Sequence, residues 1–176
     1  TQFASSAASD VYKRQEKASQ SNGEIDKFGA SDVLDLNWVQ LMNAYSCTEC
    51  GRCTSECPAN LTGKKLSPRK IMMDTRDRLE KVSKNITSNK GNFVDDGDRL
   101  LDNYITKEEL WACTSCNACV EACPINIDPL SIIMDMRQFL IMEESSAHPD
   151  LNNMMNNIEN NGCLLYTSPS PRDEKV

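Results

Sequence analysis

Two short runs concentrate the chemistry of this chain. "CTECGRCTSECP" places Cys47, Cys50, Cys53 and Cys57 ahead of Pro58, and "CTSCNACVEACP" places Cys113, Cys116, Cys119 and Cys123 ahead of Pro124. Both read C-x2-C-x2-C-x3-C-P. Zinc sites more often show two C-x2-C pairs or mix cysteine with histidine. Three cysteines at x2 spacing, with a fourth three residues further on, suit the four irons of a [4Fe–4S] cubane. Three closely spaced thiolates on a tight loop cap three irons. The fourth cysteine, followed by proline, is leaving the loop and does not easily reach the same cube. Disulfides are the other use of so many cysteines. The chain shows no export signal, which favours metal ligation.

The run is the pattern of bacterial ferredoxins, in which the fourth cysteine ligates the other cluster. On that rule Cys47, Cys50, Cys53 and Cys123 hold one cluster, and Cys113, Cys116, Cys119 and Cys57 hold the second. The expected cofactors are therefore two [4Fe–4S] clusters, with all eight cysteines as metal ligands and no catalytic residue. Thr48 and Thr114 follow ligand cysteines and are candidate hydrogen-bond donors to sulfur, or ordinary loop residues. Glu49, Glu56 and Glu121 place negative charge near the clusters. Arg52 opposes this at the first run, which predicts a higher potential for the cluster held by Cys47, Cys50 and Cys53.

The elements that must position these thiolates repeat as well. Residues 47–61 match 113–127 at Thr48/Thr114, Pro58/Pro124 and Asn60/Asn126 as well as at the cysteines. Gly51 matches Asn117, and both tolerate the positive φ that a tight loop needs. An aromatic, Tyr45 or Trp111, stands two residues before each first cysteine. Downstream, "SPRKIMMD" (67–74) matches "DPLSIIMD" (128–135), with capping Ser67 or Asp128 ahead of Pro68 or Pro129 at the first helical turn. The offset is 66 residues at the cysteines and 61 at these helices, so the first unit carries about five extra residues, near "TGKKL". Each unit reads helix, cluster loop, helix.

In "DLNWVQLMNAY" Asp35 is the expected cap, and Trp38, Leu41, Met42 and Tyr45 share a helical face. Thr106 and Glu109 form a capping box. After Asp128, one face carries Leu130, Ile133, Met134, Arg137, Leu140 and Ile141, and Met136, Phe139 and Met142 extend it; core packing between the repeats is the reading. Leu151, Met154, Met155 and Ile158 predict a further short helix. Residues 85–103 read as a loop, with "NFVDDGDRLLDNY" a candidate helix start. No strand pattern is visible, and the 55 residues between Cys57 and Cys113 read as helical. The expected fold is all-α: an alpha-helical ferredoxin with two cluster-binding loops related by an internal repeat.

The segments "CTECGRCTSECPAN…LSPRKIMMDTRDRL" and "ACTSCNACVEACPINIDPLSIIMDMR" resemble the dicluster domain of heterodisulfide-reductase-related iron–sulfur subunits. They are similar in kind to the ferredoxin domains of anaerobic glycerol-3-phosphate dehydrogenase, lactate-utilisation and succinate dehydrogenase subunits. The resemblance spans about residues 28–162. It implies electron relay between a catalytic centre and redox partners: a flavoprotein, a CCG-domain protein or a quinone-linked membrane subunit. It also implies a cytoplasmic place, at the membrane face where parent-chain segments or partners reach it. No CCG motif stands in this sequence, so disulfide reduction is not credited to it.

Other chemistries fit poorly. The net charge is −7, which disfavours nucleic acid and anionic membrane as partners. No apolar run approaches the roughly 18–20 residues that span a bilayer. His148, the only histidine, reads as a surface-loop residue, and "GKKLS" lacks the first glycine of a Walker loop. Radical chemistry on S-adenosylmethionine needs an open iron, whereas eight cysteines fill two clusters. The remaining alternative to relay is a purely structural role for the clusters.

The ends differ from the rest. "DVYKRQ" (10–15) back-translates as GATGTGTATAAGAGACAG, and the reverse complement of that DNA, read one base in, encodes "CLLYTS" (163–168). The element resembles a transposase end used in sequencing libraries, and the flanking "SSAAS" and "PSPRD" agree with it. Residues 1–15 and 163–176 are therefore expected to be translated adapter, unpacked, and Cys163 no ligand. The expected organisation is a linker at 16–30, the dicluster domain at 31–145 and the start of a following segment at 146–162.

Overall fold

The computed structural model describes residues 27–162. The adapter-like ends, Cys163 and most of the expected linker lie outside those residues. Eight helices carry the structure: α1 (Trp38–Ser46), α2 (Arg52–Ser55), α3 (Pro58–Leu61), α4 (Pro68–Ser88), α5 (Lys107–Ala112), α6 (Ala118–Glu121), α7 (Pro129–Met142) and α8 (Pro149–Asn161). The described residues contain no strand, only an isolated bridge between Leu101 and Ile105. The fold is all-α, as the sequence indicates. The repeat is visible in it: α1, α2 and α4 of the first unit correspond to α5, α6 and α7 of the second.

The two long helices begin as their sequences dictate. The Ser67 hydroxyl accepts from the Lys70 amide, and the Asp128 carboxylate accepts from those of Leu130 and Ser131, each ahead of a proline in the first turn. The capping box of Thr106 with Glu109 also forms. α4 and α7 pack on each other, and each also packs on the leading helix of the other unit, α7 on α1 and α4 on α5 through Lys70, which bonds Glu109 at 2.7 Å. Ile71, Met72 and Val82 of α4 meet Ile132, Ile133, Met136 and Leu140 of α7 in one buried core.

Three local expectations are corrected. The cap of α1 is Asn37, boxed with Gln40, whereas Asp35 closes a preceding 3-10 turn, Val33–Asp35. Of the apolar stripe of α1 only Leu41 packs against the core; Trp38 is 72% exposed, Met42 59% and Tyr45 52%, while Gln40 and Ala44 are buried. Gln40 turns inward because its amide donates to Asp135 of α7 at 2.7 Å. On α7 the buried line is Pro129, Ile132, Ile133, Met136, Phe139 and Leu140, and Met134 is exposed.

The 85–103 stretch is shorter as a loop than its composition suggests. α4 continues to Ser88, and Leu100–Asn103 is a turn with Leu101 extended and Asp102 left-handed rather than a regular helix. The loop is held from below by Arg78, whose side chain is fully buried. Its guanidinium donates to Asp32 (Nη2–Oδ2 2.7 Å), to Asp96 (Nη1–Oδ2 2.6 Å) and to the Asp98 carbonyl at 2.6 Å. The segment before α1 is fixed in turn: Ala30 N–H donates to the Asp135 carbonyl at 3.1 Å, beside Gly29 with φ +73°. α8 follows His148, whose ring nitrogen accepts from the Asp150 amide.

Candidate metal centres

Each cysteine run is wound around two left-handed residues. In the first these are Glu49 (φ 58°) and Gly51 (φ 81°), and in the second Ser115 (φ 55°) and Asn117 (φ 61°). Gly51 and Asn117 are the pair that the repeat singles out; Glu49 and Ser115 are not legible from residue type. Reversals at these positions bring three cysteines of a run around one space. The fourth cysteine then begins a departure from the loop: Cys57 is the N-cap of α3, and Cys123 accepts from the Ile127 amide at 3.4 Å.

Two cavities result. The first is lined by Cys47, Cys50 and Cys53 of the first run, by Arg69 and Met72 of α4, and by Cys119, Cys123, Ile125, Ile127 and Pro129 of the second unit. The second is lined by Cys113, Cys116 and Cys119, by Leu130 and Ile133 of α7, and by Cys57, Pro58, Leu66 and Pro68 of the first unit. Under the offset of the repeat the two walls correspond: Met72 to Ile133, Leu66 to Ile127, Pro68 to Pro129. Cys119 borders both. Among the described residues no two cysteines form a disulfide, and His148 lies far along the chain at the exposed start of α8. Four or more sulfurs around each space, with apolar side chains filling the rest, fit a compact iron–sulfide core whose irons each take one thiolate.

The thiols are tuned by their surroundings. Burial pushes the Cys119 thiol up to about 11, with the charge of Cys113 adding to this, and burial also raises Cys53. The Cys116 thiol is lowered by the Ala118 amide and the Thr114 hydroxyl. The hydrogen bonds that reach sulfur in the two runs come from backbone amides, Ser115 N–H to Cys113 and Ile127 N–H to Cys123, each at 3.4 Å. Buried thiols with raised values ionise only when a cation takes the charge, which is the condition that metal loading meets.

Charged residues distinguish the two halves, and differently from the sequence reading. Glu49 lines the first cavity as expected, but the arginine in its wall is Arg69 rather than Arg52. The corresponding residue of the second unit is Leu130. A second arginine pair does correspond. Arg76 forms an ion pair with Glu49, and Arg137 donates to Ser115 Oγ (3.3 Å), to the Cys113 and Leu110 carbonyls (2.5 and 2.6 Å), and lies over the Trp111 ring at 5.1 Å. Each clamps the left-handed residue of its own run to the following helix. The offset of 61 residues would have revealed Arg76 and Arg137 as a pair.

Comparison with known proteins agrees with this architecture. Residues 46–127 match the family described as 4Fe-4S dicluster domain. A Bacillus subtilis protein named "Probable iron-sulfur-binding oxidoreductase FadF" is 32% identical over 165 residues, covering 78% of this chain and 23% of that protein. The EtfAB:quinone oxidoreductase of Syntrophomonas wolfei is 28% identical over 156 residues, covering 78% and 22%. One subunit of a CoB-CoM heterodisulfide reductase of Methanosarcina acetivorans is 29% identical over 115 residues, covering 65% and 56%. The chain thus spans under a quarter of the length of the first two. With two thiol-walled cavities, a helical repeat around them and this match, residues 46–127 are a 4Fe-4S dicluster domain whose cofactors are two [4Fe–4S] clusters.

Proposed function

We propose that this domain relays electrons within a larger oxidoreductase. Cys47, Cys50, Cys53 and Cys123 hold the first cluster, and Cys113, Cys116, Cys119 and Cys57 the second. The observation that carries this reading is the crossed wall: each cavity is bounded by three cysteines of one run and by the departing cysteine of the other. When bound, each cluster takes up and releases one electron without changing its ligands. The chain's own residues keep the two sites adjacent through Cys119 and shield them with Met72, Ile127, Leu66 and Ile133. The backbone amides of Ser115 and Ile127 direct positive dipoles at the Cys113 and Cys123 sulfurs. The name of one relative, an EtfAB:quinone oxidoreductase, supports a quinone-linked partner; a flavoprotein or CCG-domain partner and a cytoplasmic place are proposed on the family resemblance alone. Among the described residues no helix is long and apolar enough to cross a membrane.

Paired substitutions test the ligand set. In the reconstituted chain, Cys57→Ser with Cys113→Ser removes ligands of one cluster only, so half the iron and sulfide remains. Cys57→Ser with Cys47→Ser strikes both clusters. The reverse pattern means that each run keeps its own cluster. Reversible reduction by dithionite, followed by electron paramagnetic resonance, separates relay from a structural role; clusters that stay inert exclude relay.

A further inference from the structure

The two leading helices of the repeat are finished differently. In the second unit Leu110 and Ala112 of α5 are buried and Trp111 is half-buried under the Arg137 guanidinium. In the first unit Trp38, Met42 and Tyr45, at i, i+4 and i+7 of α1, form an open apolar stripe, widened by Val39 at 46% exposure. Nothing in the fold of the described residues covers it. The stripe runs straight to the first cavity, since Tyr45 stands two residues before Cys47. The rim there is cationic. Arg52 and Arg69 are exposed, Arg69 Nη1 lies 3.9 Å from where a Cβ at Gly51 would be, and among the described residues neither forms an ion pair. Cys50 between them is exposed. A chain of net charge −7 thus places two unpaired cations and its open aromatic stripe at one edge of one cluster.

We propose that this edge is the docking surface for a redox protein whose own surface is acidic around its cofactor, so that electrons enter or leave the domain at the cluster of Cys47, Cys50 and Cys53. The proposal rests on the relay reading above. An apolar centre with a charged rim is the anatomy of a protein interface, and opposite charges speed and orient encounter. A second copy is the poorer occupant. In a two-fold interface the same patch meets itself, which gathers the four arginines of two protomers at one interface.

The test uses the full chain with both clusters loaded and follows reduction by stopped flow with two donors: reduced flavodoxin, a small acidic flavoprotein, and the methyl viologen radical, which needs no docking. Arg52→Gln, at a residue outside the cavity wall, and separately Trp38→Gln, should each lower the second-order rate with flavodoxin about tenfold. The viologen rate, iron content and circular dichroism should hold. Lys64→Gln makes the same charge change at an exposed residue that lines neither cluster cavity and should leave the flavodoxin rate within twofold. Equal slowing by Arg52→Gln and Lys64→Gln, no slowing by either edge variant, or no reduction by flavodoxin of a chain that viologen reduces overturns the docking surface and leaves the relay standing. Failure of viologen to reduce the clusters overturns the relay itself. A dimer, or binding to phosphatidylcholine–phosphatidylglycerol vesicles, that Trp38→Gln abolishes assigns the stripe to another occupant and overturns the proposal.

Discussion

Arg78 carries its charge where no water reaches it, and three groups share it: two carboxylates and the Asp98 carbonyl. A buried pair is worth less than its removal costs, because the partner charges are left behind. Arg78→Met is expected to destabilise the chain by about 3–5 kcal/mol, read from urea unfolding followed by circular dichroism. The bond from Arg78 holds the Asp96 carboxyl below its ordinary value. A depressed folded value means stability that is complete above the unfolded value, about 3.9, and lost as pH falls through the folded one. The penalty of Asp96→Asn should therefore be the same at pH 8 and pH 5; a penalty already shrinking at pH 5 contradicts the assignment. Arg69 acts on a different quantity. It is the one charged wall residue whose counterpart, Leu130, is apolar, and a nearby cation favours the reduced, more negative state. Arg69→Leu should lower the midpoint of the first cluster and leave the second in place, in a redox titration read by electron paramagnetic resonance. The same experiment on Arg52→Ala should show the smaller shift, since Arg52 lies outside that wall.

At the scale of the element, the caps of α4, α5 and α7 were legible, that of α1 was not, and neither was the sidedness. Ser67, Asp128 and the Thr106–Glu109 box act locally, so residue type and spacing suffice to find them. Periodicity shows that Trp38, Met42 and Tyr45 share a face, but not which way the face looks. That is decided by tertiary partners a hundred residues away. Gln40 finds Asp135, and Ala44, fully buried, lets α1 lie close against α4. Chain approach also sets Gly29. A Cβ there would meet the Asp135 carbonyl oxygen at 2.3 Å and the Phe139 nitrogen at 2.4 Å, on a backbone already at φ +73°. Both clashes are with the backbone of α7, which side-chain rotation does not relieve. Gly29→Ala should cost several kcal/mol and lower the thermal midpoint, whereas Gly63→Ala, with open space around it, should cost only the about 1–2 kcal/mol of its left-handed backbone. Nothing in the sequence around Gly29 marks it as a contact point.

At the scale of the molecule, the repeat was the most informative feature, and the all-helical fold and both metal sites followed from it. Its small breaks were harder to interpret. The five additional residues fall where α3 and its turn sit, and the exchange of Arg69 for Leu130 is invisible until the cavity walls are compared. Because each wall takes pieces of both units, neither unit should form a site alone. The exposed turn at Lys90 and Gly91 is a natural place to divide the chain. Fragments 1–90 and 91–176 should each fail to retain a [4Fe–4S] absorbance after reconstitution and gel filtration, and should recover it when mixed before reconstitution. A stable cluster on either fragment alone contradicts the shared wall.

The shared wall also has a meaning in time. As the chain emerges from a ribosome, the first three thiols to appear, Cys47, Cys50 and Cys53, belong to a cavity that is finished only by Cys123, Ile125, Ile127 and Pro129. Cys57 likewise waits for Cys113, Cys116 and Cys119. On the crossed ligand set proposed above, synthesis of the helical domain runs almost to its end before iron is held by all four thiolates of either site, and both walls are completed within the same few residues of elongation.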